Sequence, residues 1–138
     1  MNYLLWALVA LLAYTFVAPL MSIATTEVPS DVAVIVSNSM LVVAAGAVVA
    51  FSNEPVREYL THPDAPYMYA AGICLAVGIL AYYRALSMGP VSVVVPVFGM
   101  FIVTSSLVGF VTLDEPITAR KVAGIGFAVL AVYFTAVE

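Results

Sequence analysis

The side chains in this 138-residue chain that could recognise or act on a molecule are few, and most stand alone inside apolar runs. Asn38 sits between Ser37 and Ser39 about eight residues into one such run. An amide there must find partners, either on a neighbouring helix, which is the commoner case, or on a ligand. Trp6 and Tyr14 occupy the first run, as an interfacial anchor and a core residue respectively or as one aromatic wall of a pocket. Tyr82, Tyr83 and Arg84 close the third run, where the tyrosines suit an aromatic belt and the guanidinium can snorkel to the interface. Ser92, Pro96, Gly99 and Ser106 follow a spacing that places them on one helical face, small and polar. Such a face usually packs closely against another helix. With Pro96 freeing a backbone carbonyl, it can instead wall a cavity.

This is recognition chemistry, and the sequence offers little for catalysis. His62 is the only histidine and lies in a loop beside Pro63; Cys74 is the only cysteine, read as a small core residue. No spacing of His, Cys or carboxylates suggests a metal site, and no glycine-rich phosphate loop follows a strand. No catalytic residue, metal or cofactor is therefore expected. A formal charge of -4, eight acids against four basic residues, excludes a polybasic surface for nucleic acid. No acid is embedded in the interior of an apolar run: Asp31 only opens the second, and Glu115 lies at the edge of the last one, where the helix N-terminus can hold it.

The elements that must position these residues follow from composition. Hydrophobic residues make up 64% and charged residues 9%, with a mean hydropathy of +1.14, far from the roughly 25% charged residues of soluble domains. So short a chain could not hide that much apolar surface from water, and the solvent must be lipid. Crossing roughly 30 Å of hydrocarbon takes about 20 residues of helix. Five segments qualify, at about 3–23, 31–51, 67–87, 91–112 and 118–137. The expected fold is an all-α integral membrane protein, one domain of five transmembrane helices over residues 1–138. The first segment has no Lys or Arg before it and is too long for a signal peptide, so it reads as a retained span.

The intervening stretches "TTEVPSD", "SNEPVREYLTHPDAP", "SMGP" and "LDEPIT" hold six of the eight prolines and seven of the eight acids. Ser30 is placed to cap the second helix and Thr118 the fifth. Gly89-Pro90 ends one span and opens the next, a turn so short that the two helices should be antiparallel neighbours. An odd number of crossings puts the termini on opposite sides. Arg57, Arg120 and Lys121 then share the N-terminal side and Arg84 stands alone on the other, a slight bias toward a cytoplasmic N-terminus. Gly124, Ala128, Ala131 and Thr135 form a small-residue stripe on the fifth helix, suited to packing or self-association.

The stretch "AYYRALSMGPVSVVVPVFGMFIVTSSLVGFVTLDEPITARKVAGIGFAVLAV", residues 81–132, resembles the second half of an EamA-type repeat of the drug/metabolite transporter superfamily. The matching features are Ala85-Leu86 at an aromatic helix end, the Gly89-Pro90 turn, Pro96 in the next helix, then Glu115, Thr118 and Gly124. Ten-span members contain two five-span repeats of opposite orientation around a central cavity, and this chain is similar to one of them. The resemblance implies that two copies, inserted in opposite directions, restore that cavity as an antiparallel homodimer. Two departures are visible. Asn38 stands where many such repeats carry an arginine in the second span, and the first span lacks the acid that small four-span multidrug exporters use.

The resulting expectation is a multi-pass transporter in the cell membrane, moving a small metabolite such as an amino-acid-like solute by alternating access in a dimer. Trp6, Tyr14, Asn38, Tyr83, Ser92 and Pro96 are the expected substrate contacts. The alternatives are a non-transporting subunit paired with a larger membrane partner and a flippase for lipid-linked metabolites.

Overall fold

The computed structural model describes residues 3–52, 54–112 and 116–136. Every regular element among them is a helix: α1 (Tyr3–Thr15), α2 (Val17–Ala24), α3 (Ser30–Ser52), α4 (Val56–Tyr59), α5 (Ala65–Met88), α6 (Val91–Gly99), α7 (Phe101–Thr112) and α8 (Ala119–Ala136). Lipid dictates this choice, because a helix satisfies its backbone polar groups within one segment. Four stretches are long and apolar enough to cross a membrane: Tyr3–Ala24, Ser30–Ser52, Ala65–Met88 and Val91–Thr112. They coincide with the first four expected spans to within two residues at each end. The fifth expected span overlaps α8, which is 18 residues long, carries Arg120 and Lys121 in its first turn and is not among the stretches long and apolar enough to cross, so four of the five expected crossings are matched among the described residues.

Two of the four spans are broken, each with a proline nearby. In the first, α1 stops at Thr15 and α2 starts at Val17. Pro19 has no N–H to offer the Thr15 carbonyl, so a continuous helix would lose that bond. Restarting at Val17 puts Pro19 in a first turn, where the missing donor costs nothing. In the fourth span Pro96 lies inside α6 and cannot donate to the Ser92 carbonyl. The helix runs on to Gly99 and tightens there, the Met100 N–H reaching Val97 O at 3.2 Å before α7 resumes. Ser92, Pro96 and Gly99 therefore stand on a different helix from Ser106, and the single face expected for all four is interrupted.

Element ends follow local chemistry. Thr118 caps α8 as expected, its Oγ1 accepting from the Lys121 N–H at 3.3 Å and its carbonyl from the Val122 N–H at 3.1 Å. Ser30 is not a cap. It is already in the first turn of α3, and the Pro29 carbonyl takes the N–H groups of Val32 and Ala33 at 3.0 and 3.1 Å. Pro90 is the residue just before α6, with φ -68° and ψ 141°, and its carbonyl accepts from Val93 and Val94. The loop between α3 and α5 is tied by Tyr59 Oη donating to Glu54 Oε2 at 3.2 Å and Tyr69 Oη donating to Leu60 O at 2.8 Å.

The chain forms two compact units, residues 1–88 and 89–138. In the first, α5 packs on both α2 and α3, and α1 on α2; Ala18, Ala33, Val34, Ala65, Tyr83 and Leu86 are its buried apolar residues. In the second, α8 packs on α6 and α7, with Val103 buried. Most large apolar side chains are exposed, as lipid-facing residues are.

Candidate functional site

Within the spans, polar groups divide into those their own helix satisfies and those it does not. Thr15, Thr25, Ser37, Thr104, Ser106, Thr112 and Thr135 each donate a hydroxyl to a carbonyl four residues back, at 2.7 to 3.4 Å. A hydroxyl bonded in this way can face lipid at little cost. Ser22, Ser39 and Ser92 make no such bond among the described residues, and neither do the hydroxyls of Tyr14 and Tyr83. An unpaired polar group at membrane depth costs free energy unless a cavity, a ligand or another chain receives it. These groups are the ones that can do something.

Tyr83 is the sharpest case. The residue is 4% exposed, its ring tilted against Tyr82 at a centroid distance of 6.1 Å. Its hydroxyl has no protein partner, yet no buried polar side-chain atom in the described residues is left orphaned. The hydroxyl is therefore not sealed off completely, although the residue as a whole is held by packing.

Asn38 is half-buried. Its Nδ2 donates to Val34 O at 3.0 Å and to Ser37 Oγ at 3.5 Å, both on its own helix. The expected bond to a neighbouring helix does not form among the described residues. The carboxamide is oriented by its own backbone, and its Oδ1 is left as an acceptor.

The remaining expected contacts are spread along the chain. Tyr14 is 68% exposed, so the core reading of that residue does not hold. Trp6 is 65% exposed near the far end of α1, where the anchor reading fits. Ser92 is exposed in the first turn of α6, and Pro96 half-buried further along it. Trp6, Tyr14, Asn38 and Tyr83 thus belong to the first unit and Ser92 and Pro96 to the second. Arg84 is exposed four residues from the end of its helix, in keeping with snorkelling. Cys74 is exposed too, not a core residue. Glu115 lies outside the described residues.

Sequence reasoning missed three features. The break at Phe16 was signalled by Pro19, the other proline inside a span. Ser22 and Ser39 became distinct only once the back-bonded hydroxyls were known. The third is a cavity of about 270 Å³ between α7 and α8, lined by Ile102, Ser106, Phe110, Lys121, Gly124 and Ala128 among others. Lys121 Nζ lies 5.4 Å above the Phe110 ring at its edge, a cation–π distance. A methyl group added at Gly124 would meet nothing within 4 Å, and the same holds at Gly99. The small residues expected to permit close helix contact face open space in this chain.

Among the described residues, the chain combines apolar helices long enough to cross a membrane, two of them broken, with a few neutral polar groups that their own helices do not satisfy. A family model of the EamA-like transporter family matches residues 1–137. The chain belongs to that family, a family of multi-pass membrane transporters. No curated protein and no solved structure matches it.

Proposed function

We propose that this chain is a five-span transporter unit, α8 being its fifth crossing, that passes a small amino-acid-like metabolite across the cell membrane by alternating access in a dimer. The single observation that carries the reading is Tyr83: a buried aromatic residue whose hydroxyl makes no hydrogen bond to the described residues and is not fully sealed from its surroundings. The other unpaired groups lie at compatible depth. At 1.5 Å per residue, Tyr14 is about 15 Å from the Ala24 end of its span and Asn38 about 12 Å from the Ser30 end. Tyr83 is about 8 Å from Met88, and Pro96 about 8 Å from Val91. With each of the first three spans crossing, connectivity would put the Ala24, Ser30 and Met88 ends on one side of the membrane, so Tyr14, Asn38 and Tyr83 of the first unit would share one half of its thickness. Trp6, at the other end of the first span, would meet the solute only at the opposite mouth.

Those groups are hydroxyls, an amide oxygen and the carbonyls that Pro19 and Pro96 leave without a donor. All are neutral, which suits a solute with no net charge and several N–H or O–H groups, such as a zwitterion. The described spans contain no embedded Asp or Glu, so facilitated diffusion or exchange accounts for the movement as well as ion coupling does. Two copies in opposite orientation would supply a second set of broken helices and enclose the path.

The test is solute flux in proteoliposomes holding only this chain, with amino acids as the first panel. Flux that saturates with concentration supports the reading. Flux only after a second membrane protein is added makes the chain a subunit, and headgroup translocation without soluble-solute flux makes it a flippase.

A further inference from the structure

The cavity between α7 and α8 belongs to neither the solute contacts nor the connecting turns, and its polarity has a direction. Phe110 and Lys121 stand at one end, Ser106 and Gly124 in the middle, Ile102 and Ala128 at the other. From Phe110 to Ile102 is eight residues of helix and from Lys121 to Ala128 is seven, so the groove runs inward for about 12 Å. One leaflet of a bilayer is about 15 Å of hydrocarbon. The groove therefore has the depth of one leaflet, a cation at the end where headgroups lie and an apolar interior where an acyl chain lies. A helix from a second copy would need contact along a whole span, and this groove stops near the midplane.

We propose that the α7–α8 groove holds an anionic phospholipid, its phosphate met by Lys121 and Arg120 and one acyl chain laid over Gly124. The Phe110 ring keeps the Lys121 ammonium at the mouth. Arg120 does not line the groove but is exposed one residue before Lys121, so two of the four basic residues of the chain stand in the first turn of α8. Thr118 uses one of the amides at the α8 N-terminus, and the positive end of that helix adds to the attraction for a phosphate. Gly124 is what opens the space, since no atom lies where its side chain would be. The proposal does not depend on which solute the chain moves.

The test is lipid retention by the purified full chain in detergent, measured by native mass spectrometry with dioleoylphosphatidylglycerol and dioleoylphosphatidylcholine offered in equal amounts. The wild type should retain the anionic lipid preferentially, and Arg120→Gln with Lys121→Gln should remove the preference, about fivefold per cation. Lys121→Arg should keep it, and Gly124→Leu should reduce retention of either lipid. Helical content by circular dichroism, unchanged in all variants, shows that they fold. Equal retention of the two lipids by the wild type would overturn the proposal. So would a Gly124→Leu chain that binds lipid normally, whether or not its assembly size changes, because the groove would then have another occupant.

Discussion

Asn38 Nδ2 donates to the carbonyl of Val34 one turn back, at 3.0 Å, so the carboxamide commits its donor to its own helix and keeps its oxygen. A carbonyl can only accept, which fixes the NH₂ end of the amide toward Val34. Asn38→Leu removes the free acceptor without disturbing a neighbouring helix. Transport of an N–H-bearing solute should fall about 2- to 10-fold in kcat/KM, the value of one hydrogen bond, while thermal stability moves little. Flux in proteoliposomes beside a melting curve of the same preparation measures both.

Tyr83→Phe separates ring from hydroxyl. The residue is buried and its ring should be needed for packing, whereas the hydroxyl makes no hydrogen bond to the described residues. Phenylalanine should fold and melt like the wild type and raise KM about 2- to 10-fold. Tyr83→Ala should instead destabilise by about 3 to 5 kcal/mol, as a buried aromatic does when removed. A Tyr83→Phe variant with unchanged transport would take this hydroxyl out of the solute path.

The helices were legible in the sequence because lipid leaves so few choices. A run of about 20 apolar residues has one way to satisfy its backbone, and "TTEVPSD" or Gly89-Pro90 marks where it ends. Thr118 was legible for the same local reason, the cap needing nothing beyond the first turn of α8. What a side chain faces is a different matter. Apolar surroundings in the sequence suggest a core position for Tyr14 and Cys74, yet both are exposed, since in a membrane the core and the lipid surface are equally apolar. The face shared by Ser92, Pro96 and Ser106 assumed an unbroken helix, and the break at Met100 depends on how Pro96 and Gly99 act together. The site residues themselves emerge only after the hydroxyls that their own helices satisfy are set aside.

The tightened turn at Met100 predicts a trade between stability and turnover. Pro96→Ala returns an N–H to the Ser92 carbonyl, and Gly99→Ala adds a methyl group that meets nothing. The double variant should gain on the order of 1 kcal/mol or more in stability. If the break lets the fourth span flex during alternating access, the same variant should transport more slowly, with kcat and KM both changed. Higher melting temperature with undiminished flux would show the break to be structural only.

Thr118→Ala tests the cap at the start of α8. Losing the bond from the Lys121 N–H should cost about 1 kcal/mol, read as a fall of a few degrees in melting temperature, with flux unchanged because the cap touches no solute contact. Thr118→Ser and Thr118→Asp should restore most of the loss, the aspartate also favoured by the helix N-terminus. A drop restored by neither would mean that the threonine methyl group, and not its oxygen, holds the helix end.

The antiparallel dimer makes the most exposed prediction, because it requires the same chain to enter the membrane both ways. Charge permits this. On the five-span reading Arg57, Arg120 and Lys121 would face Arg84 across the membrane, a difference of only two cations, and orientation follows such differences. Cys74 can be replaced by alanine, leaving Asn2→Cys in one variant and Glu138→Cys in another as the sole thiols. In intact cells a membrane-impermeant maleimide should label a fraction of each population from outside, and the remainder should react only after the membrane is permeabilised. Adding two lysines to the 54–64 loop should shift that fraction strongly and, by removing one of the two orientations, abolish flux. Complete outside labelling at one terminus and none at the other would end the antiparallel model and leave a parallel dimer or a separate partner to close the path.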